Sequence, residues 1–228
     1  ALHQLSDYQA SLYAQKSTLA SGTYWDGHER LIQLSGGQIG NSKTDTSSIF
    51  IPNTVQISDL MIEDINLNIY LDFNVPAVLS NLQDVVGLYF ISEQGFTIYY
   101  PNIELAKVAP PDFDPRTQVY FQSAMPQNNP DRSPKWVAPY QDTAGTGLIV
   151  TSSIPVYDRA GDFKGVLGAD VQLSKIAQLT SNIRIGDSGF AFMIDQEGHL
   201  ISMPETRYDL FGIKPEEVPL GETPKETL

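Results

Sequence analysis

The middle of the chain carries aromatic and carboxylate side chains in segments that are typical of connections rather than core elements. The stretch "PPDFDPRTQVYFQSAMP" is followed by "KWVAPYQD", and an apolar strand then ends at Asp170. Small-molecule pockets need aromatic walls that exclude water and a few polar groups that orient the ligand. This composition suits a binding cleft, but aromatic residues in such connections also pack as ordinary core residues. Both interpretations are open from the residue types alone.

Asp170 is the carboxylate whose position carries most information. It follows the apolar residues "GVLGA" in a predicted strand, so we expect it to be buried. A buried carboxylate costs several kcal/mol unless a partner compensates its charge. That partner is either the ammonium group of a ligand or an internal donor such as Arg116.

Motifs of enzymatic chemistry are lacking. The sequence has no GxSxG, no phosphate-binding loop, no HExxH and no dinucleotide fingerprint. It has no cysteine, and His3, His28 and His199 stand far apart from one another. We therefore predict no catalytic residue, no metal site and no cofactor. A hydrolase that uses two carboxylates is the enzyme class that one sequence leaves open.

The overall charge restricts the partners. With 14 Lys and Arg against 27 Asp and Glu, the net charge of −13 repels phosphate backbones, so we predict no nucleic-acid partner. The 41% hydrophobic content is enough for a folded core. No apolar run reaches the roughly 20 residues of a membrane helix.

Periodicity predicts two helices, two strand pairs and a connecting helix. Leu5, Leu12 and Leu19 form one stripe of a helix over 2–20, which packs either on its own domain or along a dimer seam. "NVPAVLSNLQDVV" predicts a helix over 76–86, with Asn74 as its cap. The first predicted strand pair is "GLYFISEQGFTIYYP", and the second consists of "TGLIVTSSIPVYD" and "FKGVLGADVQL". The predicted connecting helix follows in "LSKIAQLTSNIRIGDSG".

A later segment repeats the first strand pair. "GFAFMIDQEGHLISMP" has a glycine, a phenylalanine three residues on, a glycine turn and a proline six residues later, as "GLYFISEQGFTIYYP" has. We interpret this as two related modules, although two independent hairpins would also match. The second module has too few residues to complete its own sheet, and we expect it to continue beyond Leu228.

The order of these segments resembles one family. "DPRTQVYFQSA", "WVAPYQD", "SSIPVYDRAGDFKGVLGADVQL" and "IGDSGFAFMIDQEGHLISMP" together resemble the double Cache sensor domains, the extracytoplasmic ligand-binding regions of histidine kinases and chemoreceptors. The resemblance implies a long N-terminal helix rising from a membrane, a membrane-distal PAS-like module that holds the ligand, and a smaller membrane-proximal PAS-like module. It also implies membrane attachment through flanking helices and a homodimer.

The resemblance also implies a ligand site. Tyr140, Asp142 and Asp170 keep the pattern of the amino-acid-binding members, whereas the arginine that clamps a carboxylate is replaced by Gln118. Glutamine lacks the charge and the bidentate geometry of arginine, so the retained aspartates suit an amine or another cationic or hydroxylated ligand. The predicted ligand-binding residues are Gln118, Tyr120, Trp136, Tyr140, Asp142 and Asp170.

The prediction is an α+β fold in which a long N-terminal helix precedes two PAS-like antiparallel-sheet modules, the second incomplete. The predicted domains are an N-terminal helix and loop over 1–40, the distal ligand-binding module over 41–180 and part of the proximal module over 181–228. The predicted function is that of a non-enzymatic extracytoplasmic sensor region that binds a small molecule. The alternative is a structural or dimerising ectodomain without a ligand.

Overall fold

The computed structural model describes residues 1–22, 24–82, 84–142, 148–172, 183–186, 189–194, 200–204, 206–207 and 210. The chain divides into two compact units. The first comprises Ala1–Val137 and Thr151–Asp170, and the second comprises Ala138–Val150 and Val171–Leu228. The predicted domain limits at residues 40 and 180 stay a prediction.

Short helices make up much of the first unit. They are α1 Leu2–Tyr13, α2 Lys16–Leu19, α3 Gly27–Arg30, α4 Asp59–Asn68, α5 Val75–Ser80, α6 Leu105–Val108 and α7 Val119–Gln122, with 3-10 helices at Ile69–Phe73 and Pro115–Thr117.

The strands form a main sheet and a small hairpin. They are β1 Ile32–Gln33, β2 Ile39–Gly40, β3 Ser48–Phe50, β4 Val85–Ser92, β5 Thr97–Tyr100, β6 Lys135–Trp136, β7 Tyr140–Gln141, β8 Leu148–Tyr157 and β9 Phe163–Gln172. The main sheet has the order β3-β5-β4-β9-β8-β6, and β1 pairs with β2. Strand β7 pairs with the start of β8 inside the second unit. The two predicted strand pairs are thus confirmed as β4 with β5 and β8 with β9, and so is the α+β class.

The predicted N-terminal helix is present but interrupted. Helix α1 ends at Tyr13, and α2 begins at Lys16 after Gln15 leaves helical geometry with φ −113° and ψ 18°. The buried face of α1 consists of Leu5, Gln9 and Leu12, and the helix contacts α4. The helix therefore packs on its own unit, which was one of the two arrangements predicted for it.

The second predicted helix is shorter than expected. Helix α5 ends at Ser80, and Val85 and Val86 begin β4 instead. The prediction that the helix continues to Val86 was wrong because β-branched valines pack well on a sheet and lose rotamer freedom in a helix. Asn74 is the cap residue, but its side chain makes no capping hydrogen bond.

Alternation along the strands gives the main sheet two different faces. Ile49, Ile98 and Phe90 are cross-strand partners, and all three belong to the hydrophobic core. This core face packs against apolar residues of α1, α4, α5 and the 3-10 helix after α4. The helical residues are Leu5, Met61, Ile65, Ile69, Leu71 and Val75. Ser48, Tyr99 and Tyr89 are the next set of partners, so they lie on the opposite face.

The second unit contains short antiparallel pairs. Strand β10 Arg184–Ile185 pairs with β11 Gly189–Phe190, and β12 Met193–Ile194 pairs with β13 Leu200–Ser202. The pair of β12 and β13 lies in the segment that was predicted to repeat the first strand pair. The connecting helix predicted from Leu173 lies outside the described residues. In the described part of the chain, no helix combines the length and apolar character that crossing a bilayer requires.

Candidate ligand-binding site

The face of the main sheet that points away from the core carries tyrosines, hydroxyls and one carboxylate. Tyr89 and Tyr99 lie on β4 and β5, with stacked rings whose centroids are 5.8 Å apart. Tyr120 on α7 meets the ring of Tyr89 edge-on at 5.9 Å. These rings give the face, which we call the tyrosine face, the aromatic wall that a ligand pocket needs.

Two glycines let the tyrosine rings lie flat against the sheet. A Cβ on Gly168 of β9 would stand 2.3 Å from the ring of Tyr89, and a Cβ on Gly87 would stand 2.1 Å from the hydroxyl of Tyr99. Any side chain at either position would therefore collide with a ring. A glycine inside a strand often marks such a close approach.

Asp170 lies on this face, two residues after Gly168. Its side chain accepts a hydrogen bond of 2.6 Å from the hydroxyl of Thr151 on β8. Asp170 is 3% exposed and Thr151 is fully buried. The burial predicted for Asp170 is confirmed, and its carboxylate lies on the same face of the sheet as the tyrosine rings.

The turn formed by Asp114–Thr117 sets the position of α7. Asp114 caps the 3-10 helix by accepting a hydrogen bond from the backbone amide of Arg116, and Pro115 occupies the first turn. Phe121 anchors α7 against Phe163 of β9, with the ring centroids 6.2 Å apart. These contacts hold α7 so that its tyrosine reaches the ring of Tyr89.

The hydroxyl of Ser153 adds a tie between β8 and α7. It donates a buried hydrogen bond of 2.7 Å to the backbone carbonyl of Tyr120. Because Ser153 and Thr151 alternate with core residues along β8, both point to the tyrosine face. Helix α7 is therefore fastened directly over the strand that supports Asp170.

Arg116, the internal partner considered for Asp170, is engaged elsewhere. Its guanidinium binds both carboxylate oxygens of Asp114, at 2.9 Å and 2.7 Å, and also donates to the backbone carbonyl of Glu93. Burial alone would raise the pKa of Asp114, but the hydrogen bonds from Arg116 outweigh it, and that pKa is lowered. The ion pair stabilises the turn before α7.

The structure brings two of the predicted site residues, Tyr120 and Asp170, to the tyrosine face. Gln118 is half-buried at the start of α7 and donates to the hydroxyl of Thr117. Trp136 is 66% exposed, and it pairs with Ser152, so it lies on the opposite face from Thr151.

Tyr140 and Asp142, the two remaining predicted residues, belong to the second unit. Tyr140 pairs with Ile149, and both Tyr140 and Asp142 are half-buried. The parts that Gln118, Trp136, Tyr140 and Asp142 play in ligand binding stay predictions.

Sequence reasoning missed Tyr89, Tyr99 and Thr151. The signal was present in the alternation of "GLYFIS", where Tyr89 falls between the core residues Leu88 and Phe90. An aromatic residue that is out of phase with the core positions of a strand points to the other face of the sheet. The candidate site therefore includes two tyrosines of the sheet, Tyr89 and Tyr99, that were not predicted.

The arrangement suits the binding of a cationic group. Buried carboxylate and tyrosine rings attract a cation through charge pairing and through the electron-rich ring faces. Within the described residues, no three His, Asp or Glu side chains are grouped so that they could hold a metal ion.

Comparison with known families gives the classification. The sequence model of the Cache domain family matches residues 47–222, which include β3 to β9 and the strands of the second unit. The chain belongs to the Cache domain family. The resemblance predicted from the ordered motifs is thereby confirmed.

The curated proteins that match this chain are longer. The chain is 25% identical over 198 residues to the methyl-accepting chemotaxis protein PscA of Pseudomonas syringae pv. tomato, covering 82% of this chain and 29% of that protein. It is 38% identical over 82 residues to the voltage-dependent calcium channel subunit alpha-2/delta-2 of Rattus norvegicus, covering 32% of this chain and 7% of that protein. The chain thus spans less than a third of the length of either relative.

A solved structure shares the Cache fold of this chain. It is the ligand-binding domain of the Campylobacter jejuni chemoreceptor Tlp3 in complex with 4-methylisoleucine, with a TM-score of 0.50 and 19% identity. The match covers 67% of this chain and 56% of that one. At this identity the likeness concerns the fold.

Proposed function

We propose that this chain is the non-enzymatic, extracytoplasmic sensor region of a membrane signal transducer of the chemoreceptor or histidine-kinase type. In this proposal the first unit binds a small molecule that carries an ammonium group at the tyrosine face. Attachment to the membrane through flanking helices and a homodimeric state are further parts of the proposal. Membership of the Cache family and the similarity to a chemotaxis protein support it.

The placement of Asp170 is the observation that carries the ligand class. The carboxylate is 3% exposed, on the sheet face opposite the hydrophobic core and on the same face as Tyr89 and Tyr99. A buried carboxylate is favourable where a cation pairs with it, and tyrosine rings add attraction for that cation. A primary ammonium supplies the charge together with three hydrogen-bond donors.

The other polar groups near α7 disfavour a ligand carboxylate as the main anchor. Gln118 stands where the amino-acid-binding members place an arginine, and Arg116 is engaged by Asp114. A ligand carboxylate near Asp170 would be repelled by its charge, and neither Gln118 nor the engaged Arg116 offers a guanidinium to that ligand. The proposal therefore predicts that an amine binds more tightly than the amino acid with the same side chain.

Sensing requires more than binding. A ligand shifts a conformational equilibrium only if it binds one of two arrangements more tightly than the other. Helix α1 packs on the core face of the same sheet that carries Asp170, so a small change in the sheet has a direct route to this helix. We propose that the ligand acts on the packing of α1.

The experiment is a titration of the 228-residue protein with a panel of primary amines and the corresponding amino acids. We expect amines to raise the melting temperature, because a ligand at 100 times its Kd adds about 2.7 kcal/mol of stability. Calorimetry on Asp170→Asn should show binding weakened by about 30-fold or more, as when one partner of a buried charge pair is lost. Asp131→Asn, which removes an exposed carboxylate, is the matched control and should bind as the wild type does.

Two results would contradict the proposal. Amine binding that survives in Asp170→Asn would place the ligand elsewhere. If the folded wild-type protein binds no amine of the panel, the result would favour the structural ectodomain. The close packing of Tyr89 against Gly168 and Tyr120 is the observation that favours this second candidate, because rings that already contact one another need no ligand.

A further inference from the structure

The first unit contains a cavity that the proposed amine site does not use. It has a volume of about 380 Å³, within the range of roughly 300–1,000 Å³ that is usual for small-molecule sites. It lies between the β1–β2 hairpin, the segment after β2, strand β3 and helix α6. The lining residues are Ile32, Leu34, Gly40, Asn41, Ser42, Lys43, Ile49, Glu104, Ala106 and Lys107.

This cavity is separate from the tyrosine face. Ile49, which lines it, pairs with Ile98 and belongs to the hydrophobic core. Ser48, the preceding residue, pairs with Tyr99 on the other side of the sheet. The described residues that line the cavity do not include the tyrosine-face residues Tyr89, Tyr99, Tyr120, Thr151 and Asp170.

The inner wall of the cavity is apolar and closely packed. Ile49 is 1% exposed and Ala106 is 4% exposed. Gly40 is needed at this point, because a Cβ there would stand 2.7 Å from the Cβ of Ala106. Ile49 and Ala106 thus form the closed floor of the cavity, and the half-buried Leu34 and the 50% exposed Ile32 offer the apolar surface to a short hydrocarbon group.

The rim of the cavity has a positive charge. Lys43 and Lys107 line it together with one acidic residue, Glu104. Lys107 is already paired with Glu104 at 2.5 Å, which leaves the charge of Lys43 as the excess. In the described part of the chain, Lys43 is exposed and makes no ion pair. A positive rim is unusual on a chain with a net charge of −13, and it complements an anion.

The side chain of Asn41 holds this rim in place. The side-chain amide of Asn41 donates to the carbonyl of Ser47 and to Asp45, and its carbonyl oxygen accepts from the amide of Ile49. The segment that carries Lys43 is thus tied to β3. A site on a fixed segment loses less entropy when a ligand binds.

We propose that this cavity is a second ligand site, and that it takes a short-chain aliphatic monocarboxylate. The hydrocarbon part contacts Ile32 and Leu34, and the carboxylate pairs with Lys43. This site shares no residue with the proposed amine site.

Butanoate is the probe for this site, and butanamide and butylamine are the neutral and cationic analogues of the same length. Chemical-shift changes of the backbone amides of residues 40–43 and 106–107 should report binding of butanoate to the 228-residue protein. We expect little response to butanamide or butylamine. Inorganic phosphate, which has charge but no hydrocarbon part, should also bind more weakly than butanoate.

Variants at Lys43 test the assignment without disturbing the fold, because the side chain is exposed. Lys43→Gln should weaken butanoate binding about threefold to fivefold, the loss expected for one exposed charge pair. Lys43→Arg should retain binding. Lys135→Gln makes the same charge change on β6 and should have no effect.

The comparison with Asp170→Asn separates the two proposed sites. Butanoate should bind this variant as it binds the wild type, even where amine binding is lost. The proposal is overturned if butanoate does not bind, if Lys43→Gln binds it unchanged, or if Asp170→Asn abolishes its binding. Phosphate that binds as tightly as butanoate would also overturn it, because the apolar wall would then contribute nothing.

Discussion

At the scale of single residues, Asp72 is a half-buried carboxylate with two tyrosine hydroxyls as partners. It lies in the 3-10 helix after α4 and accepts hydrogen bonds from the hydroxyls of Tyr100, at 2.7 Å, and of Tyr24, at 3.2 Å. Burial raises the pKa of Asp72 above its ordinary value of 3.8. The hydrogen bonds from Tyr100 and Tyr24 act in the opposite direction but do not cancel that shift, and the charge of Asp45 adds to it.

The raised pKa of Asp72 determines the direction in which the free energy of unfolding depends on pH. A carboxyl group whose pKa is higher in the folded protein contributes stability below pH 3.8, and this contribution is lost as the pH rises through the folded value. Asp72→Asn removes the titration. We therefore expect the free energy of unfolding of Asp72→Asn, relative to wild type, to increase with pH in that window, by at most about 1.4 kcal/mol per pH unit.

Urea denaturation of both proteins at a series of pH values measures this difference. Asp112→Asn, which removes an exposed carboxylate, controls for the change in net charge. If the free energy of unfolding of Asp72→Asn relative to wild type fell as the pH rose, the result would contradict this expectation.

Individual site residues were predictable only where their local context restricted them. The apolar strand before Asp170 was enough to predict its burial, and the aromatic run before "SAMP" included Tyr120. Trp136 shows the opposite case, because its face depends on its register with Ser152 on a distant strand. A single sequence does not specify that register, since one residue of slip moves a side chain to the other face.

At the scale of elements, α1 is held by a buried polar contact as well as by leucines. Gln9 is fully buried, and its side-chain amide donates to the side-chain oxygen of Asn68 on α4 at 2.6 Å. Asn68 in turn donates to the hydroxyl of Tyr13 and to the carbonyl of Asp64. These bonds specify the register of α1 on α4, because a shift along the helix axis would leave buried polar groups without partners.

We expect Gln9→Ala to lower the free energy of unfolding by about 2 to 3 kcal/mol, since it leaves the side-chain oxygen of Asn68 buried without its donor. Gln4→Ala, on the exposed face of the same helix, should change it by less than about 0.5 kcal/mol. Chemical denaturation of the two variants is the measurement. Equal effects would mean that the polar contact does not anchor α1.

Elements with strong local signals were predicted well, and those with tertiary determinants were not. The turn residues Glu93 to Gly95 and "DRAGD" marked both strand pairs. Helix α4 was not predicted, although Ser58 caps it by accepting from the amide of Met61. Its buried face includes Asp64, Asn66 and Asn68, and these polar residues hide the apolar periodicity that identifies a core helix.

At the scale of the whole molecule, the net charge of −13 should influence how ligands arrive. A negative field attracts a cationic ligand over a Debye length, which shrinks from about 30 Å at 0.01 M salt to about 8 Å at 0.15 M. We therefore expect the association rate constant of an amine that binds this protein to fall at least about threefold over that range. The rate for an uncharged hydroxyl analogue should stay constant.

Stopped-flow tyrosine and tryptophan fluorescence is a suitable measurement for both ligands. A rate for the amine that does not depend on salt would show that the overall charge plays no part in its capture.

The two-sided sheet has a consequence for how such a domain changes over generations. Neighbouring positions on β4, β8 and β9 alternate between the core and the tyrosine face. Each side chain therefore contributes either to the core or to the tyrosine face, but not to both. If the tyrosine face holds the ligand as proposed, replacements at Tyr89, Thr151 or Asp170 alter chemical preference while Phe90, Ile154 and Leu167 keep the protein folded. New specificities can thus evolve one residue at a time, without passing through unfolded ancestors.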